Sequence, residues 1–248
     1  MHEHPAFDPR RRHLLVAGGL VVLGASLGVP NALAQGGTKM PIGIIGSGHI
    51  GGTVGGLWVK AGHPVMFSSR HPEELKDMVA KLGPLAKAGS VAEAIAFGDA
   101  LLVAVPYRAL PSIGEENRAA LKGKIVLDAS NAVAGRDGAE LRGEVDRNGI
   151  GVTSQKYLPG THVVRAFNTL SSMILGREAN RADPRLAIPI AGDDPKAVQV
   201  ATDLVRDAGF EPVVVRKLAD ASRFQQGGPG YGQNVTAVDL RRTLSLSP

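Results

Sequence analysis

Residues 42–70 hold the spacing best suited to chemistry. An apolar run, Ile42–Ile45, feeds Gly46-Ser47-Gly48-His49-Ile50-Gly51, a Gly-x-Gly-x-x-Gly pattern. A strand that turns into a helix this way presents unpaired backbone N–H groups and the positive helix end to a pyrophosphate. Gly46 permits the tight turn, Gly48 lets the backbone approach the phosphates, and Gly51 lets the helix pack on the strand. The chain has 32 glycines, so the pattern gains its weight from lying between an apolar strand and a helix. A second strand, Pro64–Phe67, ends in Ser68-Ser69-Arg70. A fold that prefers NAD places a carboxylate at that tip for the ribose 2′-hydroxyl. Here a guanidinium and two hydroxyls stand instead, and these suit a 2′-phosphate. Ser47 can offer a hydroxyl to phosphate, and His49 is a candidate phosphate or substrate contact. The reading is an NADP(H) site on Gly46, Ser47, Gly48, His49, Ile50, Gly51, Ser68, Ser69 and Arg70.

Three further strand ends face the same crevice in such a fold, because ligands sit at the carboxyl ends of the strands. Val105-Pro106 follows an apolar run and turns the backbone toward the ribose or nicotinamide, unless Pro106 only stops the strand. Asn131 closes Asp128-Ala129-Ser130-Asn131 and can both donate to and accept from a carboxamide, the alternative being an Asx turn. Asn168, in Val164–Thr169, falls where a substrate approaches the nicotinamide. Asp193-Asp194 precedes a helix and reads as capping. There is no His-x-x-x-His and no Glu-x-x-His, and past residue 34 no Gly-x-Ser-x-Gly elbow, so neither a metal nor a catalytic triad is expected.

These residues need a sheet to hold them. Strands are expected at Ile42–Ile45, Val65–Phe67, Leu101–Val105, Ile125–Leu127, His162–Ala166, Ala187–Ala191 and Pro212–Val215. Helices are expected at Ile50–Ala61, Pro72–Leu82, Ser90–Phe97 and Pro195–Ala208, with a shorter one at Val235–Thr243. Pro72 suits a first turn, Ser90 with Glu93 makes a capping box, and Gly209 suits a C′ position. The alternation argues for an α/β, Rossmann-like doubly wound and mostly parallel sheet. Its expected extent is residues 40–217, followed by a small, loop-rich C-terminal extension, 218–248.

Composition narrows the function classes. Aromatic residues make up 4% of the chain, and its net charge of +5 is scattered, so no nucleic-acid surface is expected. Cysteine is absent, which removes disulfides, thiolate metal sites and thiol nucleophiles. Residues 1–34 read as an export signal: Arg10-Arg11-Arg12 leads into an uncharged apolar run, Leu14–Val29, and then Ala32-Leu33-Ala34. The paired arginines resemble a twin-arginine signal, which exports folded proteins, so a periplasmic or secreted chain is expected. At about 16 residues the run is short for a membrane span. Residues 35–39 read as a linker.

Taken together, Ile44–Gly51, Ser68-Ser69-Arg70, Val103–Pro106, Asp128–Asn131, Val164–Thr169 and Ala191–Asp194 resemble the NADPH-dependent coenzyme F420 reductases and the related oxidoreductase domain of the STEAP metalloreductases. The resemblance covers residues 40–223. It implies hydride transfer between NADPH and a flavin or deazaflavin (F420-like) acceptor stacked on the nicotinamide. It also implies that the protein chiefly positions two rings, with Ser47, Ser69 and Arg70 on the NADP phosphates. The implied partner is a small-molecule redox acceptor, and a homodimer is among the assemblies expected. Two alternatives stay open: a non-catalytic NADP(H)-binding module that senses redox state or scaffolds a partner, and a reductase of small carbonyls or imines. The second is disfavoured because only 56 residues follow Gly192, whereas such reductases use a long helical domain.

Overall fold

The structure is a computed structural model that describes residues 39–246; the expected export signal and all but the last residue of the linker lie outside them. The chain runs β1 (Ile42–Ile45), α1 (His49–Lys60), β2 (Val65–Ser68), α2 (Lys76–Leu82), β3 (Ala86–Gly89), α3 (Val91–Phe97) and β4 (Ala100–Val103). Then come α4 (Leu110–Glu116), α5 (Arg118–Leu121), β5 (Ile125–Asp128), α6 (Ala134–Asp137), α7 (Ala139–Asn148), α8 (Ile150–Tyr157) and β6 (His162–Arg165). The remainder is α9 (Ser172–Glu178), β7 (Ala187–Gly192), α10 (Pro195–Asp207), β8 (Glu211–Val214) and α11 (Ala237–Thr243).

The eight strands lie in the order β3-β2-β1-β4-β5-β6-β7-β8. All neighbours are parallel except β6 and β7, which pair antiparallel. The α/β, doubly wound sheet is the expected class. Side chains alternate between two cores. Ile42, Ile44, Leu102, Leu127 and Val164 pack with Trp58 of α1 and Ala201 and Leu204 of α10. Ile45, Leu101, Val103, Val126 and Val163 pack with Ile95, Leu110, Val145 and Ile150 on the other side. Period-2 alternation between two apolar faces accounts for near-continuous hydrophobic strands with helices on both sides.

The order reverses between β1 and β4. Chain direction diverges there, which is where a doubly wound sheet holds its ligand crevice, above the carboxyl ends of these two strands. Gly43 accounts for the tightness beneath it: a Cβ there would lie 2.2 Å from the Ala94 carbonyl of α3.

Several elements differ from expectation. β3 is an edge strand of small residues, Ala-Lys-Ala-Gly, held by its pairing with β2 and not by propensity. β4 ends at Val103 and not Val105. Pro72–Leu75 is a 3₁₀ turn, and the α-helix starts only at Lys76. α4 to α9 have four to ten residues each and no long periodic stripe. The capping box at Ser90–Glu93 forms, and Gly209 takes φ +92° after α10. Asp194 caps α10, accepting from the Ala197 amide at 2.7 Å, while Asp193 accepts from the Leu218 amide at 3.0 Å.

The segment from Leu218 onward belongs to the same compact body. Leu218–Phe224 forms a 3₁₀ helix, and Leu218, Ala221, Phe224, Leu240 and Leu244 are buried in the second core. Among the described residues, no helix is long and apolar enough to cross a membrane.

Candidate functional site

The β1–α1 loop is shaped by its glycines. Gly46 has φ +97°, and a Cβ there would sit 2.6 Å from the Ala104 carbonyl. A Cβ on Gly51 would lie 2.0 Å from the Gly46 carbonyl, so α1 can close on the strand only with glycine. Gly48 differs: a Cβ there meets nothing within 4 Å. Open space therefore lies over the backbone at the start of α1. Gly48 is the N-cap and offers no side chain to the first helical amides. Those amides keep the orphan donors and partial positive charge of a helix start. Ile50 is half-buried against the first core and anchors the turn, while His49 is exposed beside the opening.

The serines divide into two kinds. Ser68 is fully buried, and its hydroxyl donates to the Ile44 carbonyl at 2.7 Å. It ties β2 to β1 and points into the sheet, so of the two hydroxyls expected at this tip only that of Ser69 is accessible. The Ser69 Oγ accepts from the His71 amide at 3.1 Å, which leaves its own proton free to donate. Ser47 is fixed to the same strand end: its amide and its hydroxyl both donate to the Ser68 carbonyl, at 3.2 and 3.0 Å. Its hydroxyl proton is thus already engaged. Arg70 is exposed at the tip and makes no ion pair with another described residue. The nearby Glu73 is engaged instead by His71, at 3.3 Å.

The other side of the crevice is tightly bonded. Asp128 and Arg165 face each other in register at the ends of β5 and β6, both with fully buried side chains. The Arg165 Nη1 pairs with Asp128 Oδ2, its Nη2 donates to the Ser130 carbonyl at 2.7 Å, and the Ser130 amide donates to Asp128 Oδ1 at 2.8 Å. This is an Asx turn locked by an ion pair. Sequence reasoning missed the pair; the signal was one charge of each sign closing consecutive apolar strands. The Val105 amide reaches Ser130 Oγ at 3.4 Å, so the β4 and β5 ends are tied together. Pro106 is exposed at the mouth and precedes a 3₁₀ turn, Tyr107–Ala109.

Asn131 and Asn168 meet. The Asn131 Nδ2 donates to the Asn168 carbonyl at 2.7 Å, and the Asn168 Nδ2 reaches Asn131 Oδ1 at 3.4 Å and the Phe224 carbonyl at 3.1 Å. Asn168 is 3% exposed, and its Oδ1 is a buried acceptor with no partner among the described residues. Phe167, just before it, sits at φ +59°, costly for a bulky residue. Its ring is gripped edge-on by Trp58 at 5.8 Å and Phe210 at 6.1 Å. That packing holds the strained turn which aims Asn168. The tail completes this side, with the Gly232 amide donating to the Thr169 carbonyl at 3.0 Å. Among the described residues, no group of three metal-ligating side chains occurs.

Residues 41–132 match the family described as NADP oxidoreductase coenzyme F420-dependent. The matched stretch spans β1 to β5 and Asn131, and leaves out Arg165 and Asn168. Rat metalloreductase STEAP3 is 28% identical over 191 residues, 74% of this chain and 35% of that protein. The chain spans about a third to a half of the length of the curated relatives it matches. The solved structure of a hypothetical protein, SMa0349 from Sinorhizobium meliloti, is 28% identical with a TM-score of 0.68, covering 82% of this chain and 97% of that one. A putative F420-dependent NADP-reductase from Arthrobacter shares the fold at 21% identity and TM-score 0.61, over 74% of this chain and 87% of that one. The chain thus shares a Rossmann-like fold with these solved structures.

Proposed function

We propose that this protein transfers a hydride from NADPH to a flavin or deazaflavin acceptor. The observation that carries the reading is the open backbone at Gly48 combined with a β2 tip that bears Ser69 and Arg70 and no carboxylate. The diphosphate would lie against the first turn of α1, and the 2′-phosphate would take the Ser69 hydroxyl and the Arg70 guanidinium. The nicotinamide would then extend over β4 and β5 toward Asn131 and Asn168. The buried Asn168 Oδ1 suits a carboxamide N–H. When bound, the cofactor supplies the hydride. The chain's part is to hold two rings in contact, which agrees with a crevice that lacks an acid–base dyad. The names of the relatives, a metalloreductase and a putative NADP-reductase, support a reductase. The deciding experiment follows NADPH oxidation at 340 nm with riboflavin, FMN or F420 as acceptor. Turnover with one of these and not with NADH is expected. NADPH binding without turnover on any of them would favour a non-catalytic sensing module instead.

The same reading includes export before use. The Arg10–Arg12 run and the Ala32-Leu33-Ala34 site support a twin-arginine route with NADPH loaded in the cytoplasm. Changing Arg11 and Arg12 to lysine should retain the chain inside an exporting host. Unchanged export of that variant would refute the route.

A further inference from the structure

At the amino end of β1, away from the crevice, one buried ring is held between two acceptors. His63 lies in the turn between α1 and β2, and its side chain is 3% exposed. Its Nδ1 faces the Met40 carbonyl at 2.9 Å, and its Nε2 faces Asp207 Oδ2 at 2.9 Å. A carbonyl oxygen only accepts, and so does an ionised carboxylate. Both bonds therefore form only when each ring nitrogen carries a proton. Lys39 favours the ionised carboxylate, with its Nζ 2.8 Å from the same Asp207 Oδ2. Burial alone would raise the Asp207 carboxyl, but Lys39 and His63 outweigh that and hold it below its ordinary 3.8. The closed arrangement is an imidazolium between a carbonyl and a carboxylate.

These bonds join the entry into β1 to the end of α10. Besides Lys39 and Asp207, the charged side chain lining the same cavity of about 210 Å³ is Asp203, which Gln199 and Arg206 engage at 3.0 and 3.6 Å. Lys60, in the last turn of α1, is exposed and takes no part in that lining. The contact with α1 runs through backbone, the His63 amide donating to the Trp58 carbonyl at 3.0 Å. Trp58, the one tryptophan of the chain, donates from its indole to the Leu204 carbonyl of α10 at 2.7 Å. Met40 packs against the first core beside them. Both ring nitrogens of His63 are engaged, so the ring has none left for a ligand. We infer that His63 is a proton-operated clasp: with both ring protons it fastens the first residues of the folded body to α10, and on losing one it releases them. A neutral ring sets a lone pair against one of its two acceptors. The clasp is therefore closed at lower pH and opens as the pH rises and the ring gives up its second proton. Asp207 sets the acid limit, because a depressed carboxylate loses its contribution as pH falls through its folded value.

Ring ¹⁵N shifts of His63 in the full chain test it, followed from about pH 5 to about pH 9, a span that covers the titration of histidine. At the acid end both nitrogens should read as protonated. Loss of one proton should coincide with a change in Trp58 fluorescence. It should also coincide with faster hydrogen exchange of the Ile42 amide, which donates to the Pro64 carbonyl beside the ring at 2.9 Å. Asp207→Asn keeps an acceptor but removes the charge, so the ring should lose its second proton about one pH unit lower. His63→Gln should lack the pH-linked fluorescence change altogether, and if that variant does not fold, Asp207→Asn carries the test alone. A ring already neutral at the acid end would overturn the inference. So would a proton loss that leaves both fluorescence and Ile42 exchange unmoved, or an Asp207→Asn midpoint equal to the parent's. None of these readouts involves NADPH, so failure here is distinct from failure of the hydride-transfer reading.

Discussion

The two flanks of the crevice are built on opposite principles. At the β1–β2 flank the polar groups that face solvent are idle: the α1 amides lack a side-chain cap, the Ser69 proton is free, and Arg70 is exposed. At the β5–β6 flank nearly every polar group is engaged: Asp128, Arg165, Ser130, Asn131 and Asn168 bond one another or the chain around them. Idle donors lose little on meeting a phosphate, because no internal bond must break first. Engaged ones fix a surface on which a ring can lie flat. The contrast teaches that substitution should alter binding at the first flank and stability at the second.

The largest effect tests the open flank. Gly48→Val puts two methyl groups where a Cβ meets nothing within 4 Å, so the fold should tolerate it. Those methyl groups occupy the space the diphosphate needs. NADPH titration followed by nucleotide fluorescence should show no saturable binding, while the urea midpoint stays that of the unchanged chain. Retained fluorescence enhancement would break the comparison at its stronger end.

The closed flank predicts the reverse. Arg165→Met leaves Asp128 buried without its partner, and this should cost about 3–5 kcal/mol in urea unfolding. Adding Asp128→Leu should recover much of the loss, since a buried ion pair and an apolar replacement are often of similar stability. A single variant as stable as the parent would show that the pair is not structural. Arg70→Ala then returns to the open flank. Losing a charge-assisted phosphate contact costs about 1.5–3 kcal/mol, so the preference for NADPH over NADH should shrink by a factor of about ten or more, at constant stability. Equal affinity for both nucleotides in the parent chain would remove the basis for calling this flank a phosphate site.

Much of this architecture was legible in the residues. Apolar strands with glycine turns between them predicted β1, β2, β5 and the doubly wound sheet, because burial on both faces leaves a plain signal in composition. The roles of Gly46 and Gly51 were legible too, and backbone contacts of 2.6 and 2.0 Å from a Cβ there bear out that neither admits a side chain. What stayed hidden depends on partners distant in sequence. β3 is a strand only because β2 offers its edge. Ser68 and Ser69 are adjacent and chemically identical, and only the pleat decides that one faces Ile44 and the other solvent. The Asp128–Arg165 pair spans 37 residues, and the strain at Phe167 exists because Trp58 and Phe210 close around its ring. No local pattern announces such contacts.

The smallest effect sharpens the comparison where the two principles meet. Asp137 belongs to the closed flank by burial, yet it holds the partly exposed Arg136, whose Nη1 has no acceptor among the described residues. Burial alone would raise its pKa, but the Arg136 guanidinium and the Val133 and Arg108 amides outweigh that and hold it below its ordinary 3.8. A carboxylate depressed in the folded state stabilises at pH values above its unfolded pKa, and the contribution fades as pH falls through the folded value. Asp137→Asn should therefore be less stable than the parent by about 1 kcal/mol at neutral pH. The gap should narrow only below pH 3.8, as the parent's carboxylate takes up its proton. Urea unfolding of both proteins from pH 7 down to pH 3 checks this. A gap that persists unchanged to the acid end would mean that Asp137 acts by shape and not by charge.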